Sequence, residues 1–268
     1  MEEQTKSAYT LISGATGGVG SAFAFECAAR GRRLFLTGRS EARLDALIAK
    51  LRLRFPSVCV DRFACDLTDE KSREQMFSYV RAQGYTFSGL CNIAGADIQK
   101  AFVRYTQEKI AFQCRVNVEA AMSLTHFVLE RRAQMLEIVA MGSISAVYPM
   151  PYFAIYSATK KALEYFFLSL RVELYEKGVK ITVVEPGGIY TRPDICKDIE
   201  GQGIWGKLSA KTPEYIAKKS LNAVSRNKRL IRPGFWNKFI AVVPHIVPLG
   251  VRMRFIAKRW KKLEKDAF

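Results

Sequence analysis

The stretch that decides the fold is residues 9–30, which read YTLISGATGGVGSAFAFECAAR. An apolar run typical of a strand (9–13) leads through the glycine loop, residues 14–20, into an apolar helical pattern. The first glycine permits a tight turn, while Gly18 and Gly20 let the backbone and the helix approach a pyrophosphate. N–H groups at the helix N-terminus then attract the phosphate oxygens. A glycine-rich turn also occurs for conformational reasons alone, but its place between a strand and a helix favours dinucleotide binding.

Short β-branched or apolar runs alternate with longer helical patterns along the rest of the chain. Further strands are predicted over residues 33–37, 58–64, 87–92, 136–141 and 181–185 and near Leu230, and helices over residues 41–54, 70–83 and 112–131. This alternation predicts an α/β fold of the Rossmann type, with a doubly wound parallel sheet in one catalytic domain, residues 1–233. Residues 191–211 contain three glycines and are expected to form a flexible excursion. Residues 234–268 form a basic amphipathic C-terminal extension.

The composition is that of a globular protein, but its charge is unevenly distributed. Hydrophobic residues make up 49% and charged residues 25% of the 268 positions, whereas the net charge is +17. Residues 218–268 carry 14 Lys or Arg against Glu264 and Asp266. Basic and aromatic residues are interleaved there, which favours an interfacial helix on an anionic membrane. Packing on the chain's own core or on a dimer mate is the open alternative, and the many apolar residues disfavour nucleic acid.

The cysteines and the N-terminus bear on the compartment. The six cysteines are scattered, without CxxC pairs or metal-type spacing, so we expect free thiols, no metal site and a reducing environment. The first ten residues, MEEQTKSAYT, are polar and partly acidic, unlike a signal or transit peptide. No apolar run approaches the ~20 residues that a spanning helix needs. We therefore expect a cytoplasmic protein. Peripheral membrane contact through residues 234–268 is a further hypothesis.

The end of the second predicted strand bears on the choice of cofactor. An acidic residue there would accept hydrogen bonds from the ribose 2′-hydroxyl of NAD. The sequence instead reads Thr37-Gly38-Arg39-Ser40. Arg39 can form charge-assisted hydrogen bonds with a 2′-phosphate, which favours NADP(H). The alternative is an arginine that merely opens a solvated helix.

Residues 156–160, YSATK, complete a recognisable set of motifs. Together with the glycine loop they resemble the short-chain dehydrogenase/reductase family, in particular its NADP-dependent hydroxysteroid and ketone reductases. The resemblance covers about residues 8–232. Ile93 stands where the family has a second Asn in its NNAG motif, and Ser13 replaces the more usual Thr before the first glycine. Neither departure removes a catalytic group.

The resemblance implies a set of site residues and an oxidoreductase activity. The catalytic residues it implies are Asn117, Ser143, Tyr156 and Lys160. The NADP(H)-binding residues it implies are Gly14, Thr16, Gly17, Gly18, Val19, Gly20, Arg39, Asp66, Leu67, Asn92, Ala94, Gly95, Tyr156, Lys160, Pro186, Gly187, Ile189 and Thr191. We also expect a homodimer or homotetramer.

Elementary chemistry agrees with these roles. Tyr156 and Lys160 are four residues apart and share one helix face, so the ammonium is expected to lower the phenol pKa from about 10. Ser143 would bind the substrate oxygen while Tyr156 exchanges a proton with it, and Asn117 would fix a water that relays protons. Taken singly, each residue has an alternative: surface packing for the Tyr–Lys pair, a turn for Ser143, a satisfied core amide for Asn117.

The residues near the predicted catalytic set favour a bulky apolar substrate. The predicted pocket residues are Ser143, Ser145, Tyr148, Tyr152, Phe153, Tyr190 and Trp205. A hydroxysteroid, bile acid or related lipid fits such a lining, and a long-chain 3-ketoacyl substrate fits equally well. Arg192 and Lys197 are either contacts for a distant anion or solvated charges. A competing hypothesis is a low-turnover NADP-binding scaffold or sensor that docks on membranes, although a sensor does not need the Ser143, Tyr156 and Lys160 set.

Overall fold

Seven parallel strands form the centre of the molecule. The computed structural model describes residues 8–191, 193–201, 203–242 and 247–261, and within this part the sheet order is β3-β2-β1-β4-β5-β6-β7. The strands are β1 (Tyr9–Ile12), β2 (Arg33–Gly38), β3 (Val60–Ala64), β4 (Phe87–Asn92), β5 (Arg132–Met141), β6 (Val179–Val184) and β7 (Leu230–Ile231). The predicted Rossmann-type doubly wound sheet is therefore confirmed.

Helices cover both faces of this sheet. They are α1 (Gly18–Ala29), α2 (Glu41–Arg54), α3 (Glu70–Ala82), α4 (Gln107–Cys114), α5 (Ala120–Glu130), α6 (Ala154–Glu173), α7 (Pro193–Gly201), α8 (Gly203–Ser209), α9 (Pro213–Ser225), α10 (Phe235–Val242) and α11 (Leu249–Trp260). Neighbouring residues of β1 point to opposite faces: Leu11 packs among residues of α3, α5 and α6, and Ile12 among residues of α1, α2 and α9. Both faces of the sheet are thus buried, as a parallel sheet requires.

Side chains at the helix N-termini explain several of the observed boundaries. Ser40, Asp69, Thr106 and Thr212 each accept a hydrogen bond from a backbone N–H in the first turn of the helix that follows. The cap at Thr106 starts a helix earlier than the predicted 112–131, because the polar first turn of α4 does not show the apolar periodicity. A π-helical turn, Arg115–Glu119, then separates α4 from α5.

Two other regions can be compared with the sequence-based expectation. Residues 191–211 were expected to form a flexible excursion; their described part forms α7 and α8, and the flexibility stays a prediction. Ile195 and Ile199 lie one turn apart and face the same cavity, and this apolar face explains why the segment is helical despite its glycines. The C-terminal extension forms α10 and α11, and Ile256 of α11 packs with Met150 and Phe153.

The order of the strands places the site. The chain order reverses between β1 and β4, and ligands of open α/β sheets bind at the carboxyl ends of the strands at such a point. The glycine loop follows β1, and residues 93–99 follow β4 at the same edge. In the described part of the chain no helix is long and apolar enough to cross a membrane.

Candidate active site

The glycine loop owes its shape to close backbone contacts. Gly14 has a φ of +62°, and a Cβ built on it would lie 3.0 Å from the Cα of Ala94. A Cβ on Gly20 would overlap the carbonyl oxygen of Gly14. Larger residues at these two positions would push the loop away from the strand edge. Ser13 holds the facing segment, since its Oγ accepts hydrogen bonds from the N–H groups of Ile93 (2.9 Å) and Ala94 (3.1 Å).

The first turn of α1 is suited to bind phosphate. No side chain caps it and it contains no acidic residue, in contrast to the capped helices α2 and α3. Its orphan N–H groups and the positive end of the helix dipole point to the cavity that Gly17, Gly18 and Val19 line. The backbone N–H donors of this turn are suited to bind the pyrophosphate of a dinucleotide.

Two arginines flank the adenosine end of this cavity. Arg39 lies at the end of β2, as the sequence analysis requires for a 2′-phosphate contact, and Arg43 follows in the first turn of α2. Arg43 also donates from Nη2 to the carbonyl oxygen of Thr16 at 2.9 Å, which ties it to the glycine loop. The sequence analysis missed Arg43, although its place one helical turn after Arg39 was a usable signal. Asp66 and Leu67 line the opposite wall.

The predicted catalytic side chains meet at the carboxyl end of β5. Tyr156 is partly buried and shares a hydrogen bond with Ser143. The Nζ of Lys160 lies 5.6 Å from the centroid of the Tyr156 ring and donates to the carbonyl oxygen of Met141 at 2.9 Å. Ser143 caps a short 3-10 turn by accepting from the N–H of Ser145 at 3.2 Å. The backbone of β5 and the catalytic helix α6 therefore hold these three groups together.

The pKa of the phenol departs from the sequence-based expectation. Burial raises the pKa of Tyr156, the charge of Asp97 raises it further, and the hydrogen bond with Ser143 only partly opposes them. Burial also lowers the pKa of Lys160 to about 8. The expected lowering of the phenol pKa is therefore not what the structure shows, because desolvation and the charge of Asp97 outweigh the hydrogen bond with Ser143. Tyr156 is protonated at neutral pH and poised to donate.

Asn117 lies in the π-helical turn and is fully buried. Its Nδ2 donates to the carbonyl oxygen of Ala96 and to Thr159 Oγ1, both at 3.0 Å, and its Oδ1 accepts from the N–H of Ala96 at 2.8 Å. These bonds fix the segment after Gly95, where an added Cβ would be 3.3 Å from Lys160 Nζ. The structure thus supports a positioning role for Asn117, and the water relay stays a prediction.

The loop at residues 186–191 closes the site over the glycine loop. A Cβ on Gly18 would lie 3.0 Å from the Cβ of Thr191. The N–H of Ile144 donates to the carbonyl oxygen of Pro186 at 2.9 Å, which joins this loop to the turn after Ser143. Pro186, Gly187, Ile189 and Thr191 line the cavity as expected for nicotinamide contacts.

Comparison with known proteins assigns this arrangement to a family. The family model described as short chain dehydrogenase matches residues 8–197. The chain belongs to the short-chain dehydrogenase family. Members of this family are oxidoreductases that act on CH–OH groups with a nicotinamide cofactor. The sequence-based assignment to this family is therefore confirmed.

Two proteins with similar sequences come from a plant and a fungus. The chain is 29% identical over 253 residues to 11-beta-hydroxysteroid dehydrogenase-like 3 of Arabidopsis thaliana, covering 92% of this chain and 81% of that protein. It is also 29% identical over 185 residues to the very-long-chain 3-oxoacyl-CoA reductase of Neurospora crassa, covering 67% of this chain but only 55% of the reductase.

Two solved structures show the same fold. One, from a study of 7beta-hydroxysteroid dehydrogenase stereoselectivity, has a TM-score of 0.82 at 22% identity and covers 93% of this chain and 96% of its own. The other, the bulky-bulky ketone specific alcohol dehydrogenase of Comamonas testosteroni, has a TM-score of 0.71 at 23% identity and covers 97% and 96%.

The cavity of this dehydrogenase has a volume of about 950 Å³ and joins the nucleotide end to a largely apolar substrate end. Ser143, Ser145, Tyr148 and Phe153 line the substrate end as predicted from the sequence. The hydroxyl oxygen of Ser145 is buried and has no hydrogen-bond partner in the described part of the chain. A polar atom in this position suits an oxygen of the substrate.

Three of the predicted contact residues are not among those that line the cavity. Tyr152 has a φ of +64° and does not line the cavity. Tyr190 pairs through its N–H with the carbonyl oxygen of Lys211 (3.1 Å) and also lies outside the wall. Asn92 donates to Thr125 Oγ1 at 3.0 Å and holds α5 on β4. The side chains of Trp205 and Lys197, and all of Arg192, lie outside the described part of the structure.

The C-terminal extension contributes to the wall of the cavity, which agrees with the alternative that it packs on the chain's own core. Its cavity-lining residues are Asn237, Ile240, Arg252, Phe255, Ile256 and Trp260. Asn237 is fully buried and donates to the carbonyl oxygens of Ser209 (2.9 Å) and Pro233 (2.6 Å). Its Oδ1 lies where a side chain at Gly187 would be, so Asn237 packs directly on the loop at residues 186–191. The boundary at residue 233 remains a prediction about domains, but residues beyond it contribute to the site.

Proposed function

We propose that this dehydrogenase interconverts a carbonyl and a secondary alcohol in a bulky apolar substrate with NADP(H). The observation that carries the proposal is the meeting of Ser143, Tyr156 and Lys160 at the boundary between a phosphate-binding glycine loop and a largely apolar cavity. Each part alone has a structural explanation. Their joint placement fits proton transfer beside a bound nicotinamide, which supplies or accepts the hydride.

The side chains divide the work of carbonyl reduction. Ser143 Oγ donates a hydrogen bond to the carbonyl oxygen and orients it toward the phenol of Tyr156. The phenol gives its proton to that oxygen as the carbon is reduced. Lys160, as an ammonium, stabilises the resulting phenolate, and its burial strengthens that interaction. The reverse sequence serves alcohol oxidation.

The proposed preference for NADP(H) rests on the pair of arginines at the nucleotide end. Arg39 and Arg43 both line the cavity where β2 ends, and the two acids in the first turns of α2, Glu41 and Asp45, are both engaged with Arg62. Two guanidinium groups favour a 2′-phosphate over a 2′-hydroxyl.

The apolar lining and the relatives together support the substrate class. We favour a hydroxysteroid, bile acid or related lipid, because the wall includes Met150, Phe153 and Trp260 and because similar proteins carry hydroxysteroid dehydrogenase names. A long-chain 3-oxoacyl substrate is the alternative, favoured by the similarity to the Neurospora reductase. A screen of steroid, bile-acid and acyl ketones with NADPH tests the proposal. Turnover confined to small polar carbonyls would contradict it.

The surface of the C-terminal extension supports a second proposal, peripheral docking on an anionic membrane. Phe235, Phe239 and Val251 are more than half exposed, and Lys238 and Lys258 are exposed beside them. Apolar side chains next to basic ones are typical of interfacial helices. A membrane-docked scaffold or sensor of low turnover would use the same surface, but the intact proton-donating set favours an enzyme. Cytoplasmic location and assembly into a homodimer or homotetramer stay part of this proposal.

A further inference from the structure

One cation of the cavity has no place in the chemistry described so far. Four Lys or Arg residues line the cavity within the described part of the chain. Arg39 and Arg43 belong to the nucleotide end, and Lys160 belongs to the catalytic set. Arg252, on α11, is the fourth, and it lies among the residues of the C-terminal extension that close the substrate end.

Within the described part of the chain, the contacts of Arg252 fix its position but include no carboxylate. Its Nε donates to the carbonyl oxygen of Val247 at 2.8 Å. The described residues provide no carboxylate within ion-pair distance of its guanidinium, and the acids that line the cavity, Asp66 and Asp97, lie at the adenosine end and beside the catalytic pair. A half-buried guanidinium next to apolar side chains is unfavourable unless an anion pairs with it.

The helix sets how far this charge lies from the reacting group. Arg252, Ile256 and Trp260 are spaced by four residues and all line the cavity, so they form one face of α11. The rise of an α-helix puts Arg252 about 12 Å from Trp260 along the axis. Trp260 stacks on Phe153, which in turn stacks on Tyr156. The guanidinium of Arg252 is therefore at one end of this helix face. Trp260, which reaches the catalytic tyrosine through Phe153, is at the other end.

We propose that Arg252 binds an anionic oxygen group, a carboxylate or a phosphate, at the end of the substrate remote from its carbonyl. This inference rests on the proposed function and specifies its substrate as an apolar body that bears the carbonyl at one end and the anion at the other. The planar guanidinium presents two parallel N–H donors to such a group. Because the pair forms next to apolar side chains, it is screened less than a surface ion pair.

Matched substrates test the inference in the unaltered protein. One pair is a steroid ketone with a side-chain carboxylate and its methyl ester, and the second is a 3-oxoacyl-CoA and its N-acetylcysteamine thioester, which lacks the phosphates. Charge-assisted hydrogen bonds predict a kcat/KM roughly 10- to 100-fold higher for the anionic member of the preferred pair. The two pairs distinguish a carboxylate from a phosphate.

Variants then assign the effect to the residue. Arg252→Gln should remove most of the preference for the anion, change kcat/KM for the neutral member less than about twofold, and leave the Kd for NADPH unchanged. Arg252→Lys should restore part of it. Arg254→Gln is the control, because Arg254 is exposed on the other side of the same helix. Thermal denaturation confirms that each variant folds.

The outcomes separate this inference from the proposed function. Equal kcat/KM for acid and ester, or an equal loss for both in Arg252→Gln, overturns the role of Arg252 while leaving ketone reduction intact. A weaker Kd for NADPH in Arg252→Gln would assign the residue to the cofactor and also overturns it. Absence of turnover with every ketone counts against the proposed function. In that case, calorimetry can measure how tightly the acid and the ester bind to native protein and to Arg252→Gln. These affinities still test whether Arg252 binds the anion.

Discussion

The indole of Trp260 stacks on the phenyl ring of Phe153, with ring centroids 5.7 Å apart and planes 14° from parallel. Phe153 in turn stacks on the ring of Tyr156, at 4.4 Å and 23°. Three aromatic rings thus connect the C-terminal helix to the catalytic phenol. These rings line the cavity, so the extension forms part of the wall at the proposed substrate end.

Trp260→Ala should therefore impair the handling of bulky ketones. Loss of an aromatic contact and of apolar wall area predicts a KM about 10-fold higher, with little change in the Kd for NADPH. Steady-state rates with a bulky and a small ketone measure the effect. Phe235→Ala, which removes an exposed aromatic ring that does not line the cavity, should leave both rates near native values. Equal loss with both ketones in Trp260→Ala would count against a wall role.

Arg39→Ala should reduce the preference for NADPH over NADH by about 10- to 100-fold, because it removes charge-assisted bonds to the 2′-phosphate. Arg43→Ala should do the same to a smaller degree. Comparison of kcat/KM for the two cofactors measures the change. Lys50→Ala removes a positive charge from the exposed side of the same helix and should leave the preference unaltered. A native enzyme that prefers NADH would refute the assignment.

The rate of ketone reduction should fall as the pH rises through about 8. Burial lowers the pKa of Lys160 to about 8, so above that pH the residue is neutral and no longer stabilises the Tyr156 phenolate. Below it the ammonium is present and the phenol, whose pKa burial raises, is protonated. The pH profile of kcat/KM should show one alkaline limb with a slope of about one proton. A profile flat through this range would show that the charge of Lys160 is not required.

Phe235 and Phe239, replaced together by Ser, should weaken cosedimentation with anionic vesicles. Both side chains are exposed and adjoin basic residues, so insertion and charge attraction would act together. Salt should weaken native binding in part, since the Debye length falls from about 10 Å at 0.1 M to about 3 Å at 1 M. Val172→Ser, at an exposed apolar site on α6, is the control. Equal cosedimentation of the double variant and native protein would remove the membrane proposal.

The sequence predicted those parts of the site that depend on local spacing. The glycine loop joins one strand to one helix, and the four-residue interval from Tyr156 to Lys160 fixes a shared helix face, so short-range rules suffice for both. Trp260 and Phe153 lie more than 100 residues apart, and a basic amphipathic helix is compatible with a membrane, a partner or the chain's own cavity. That α11 also lines the cavity follows from packing between distant parts of the chain, and no local pattern encodes it.

Other differences came from backbone geometry that residue type does not reveal. Tyr152 was expected in the pocket because it is aromatic and near Ser143, but it has a left-handed backbone conformation and does not line the cavity. The expected lowering of the Tyr156 pKa assumed a solvated pair. Desolvation of the phenol, reinforced by the charge of Asp97, reverses the sign.

The measurement that tests the central claim most directly is ketone-dependent oxidation of NADPH by native protein and Tyr156→Phe. The substitution removes the proton that reduction of the carbonyl requires and keeps the ring that stacks on Phe153. We expect turnover to fall by about 10³-fold while the Kd for NADPH changes less than about threefold. Near-native turnover in Tyr156→Phe would contradict the assignment of Tyr156 as the proton donor, and with it the mechanism proposed for this site.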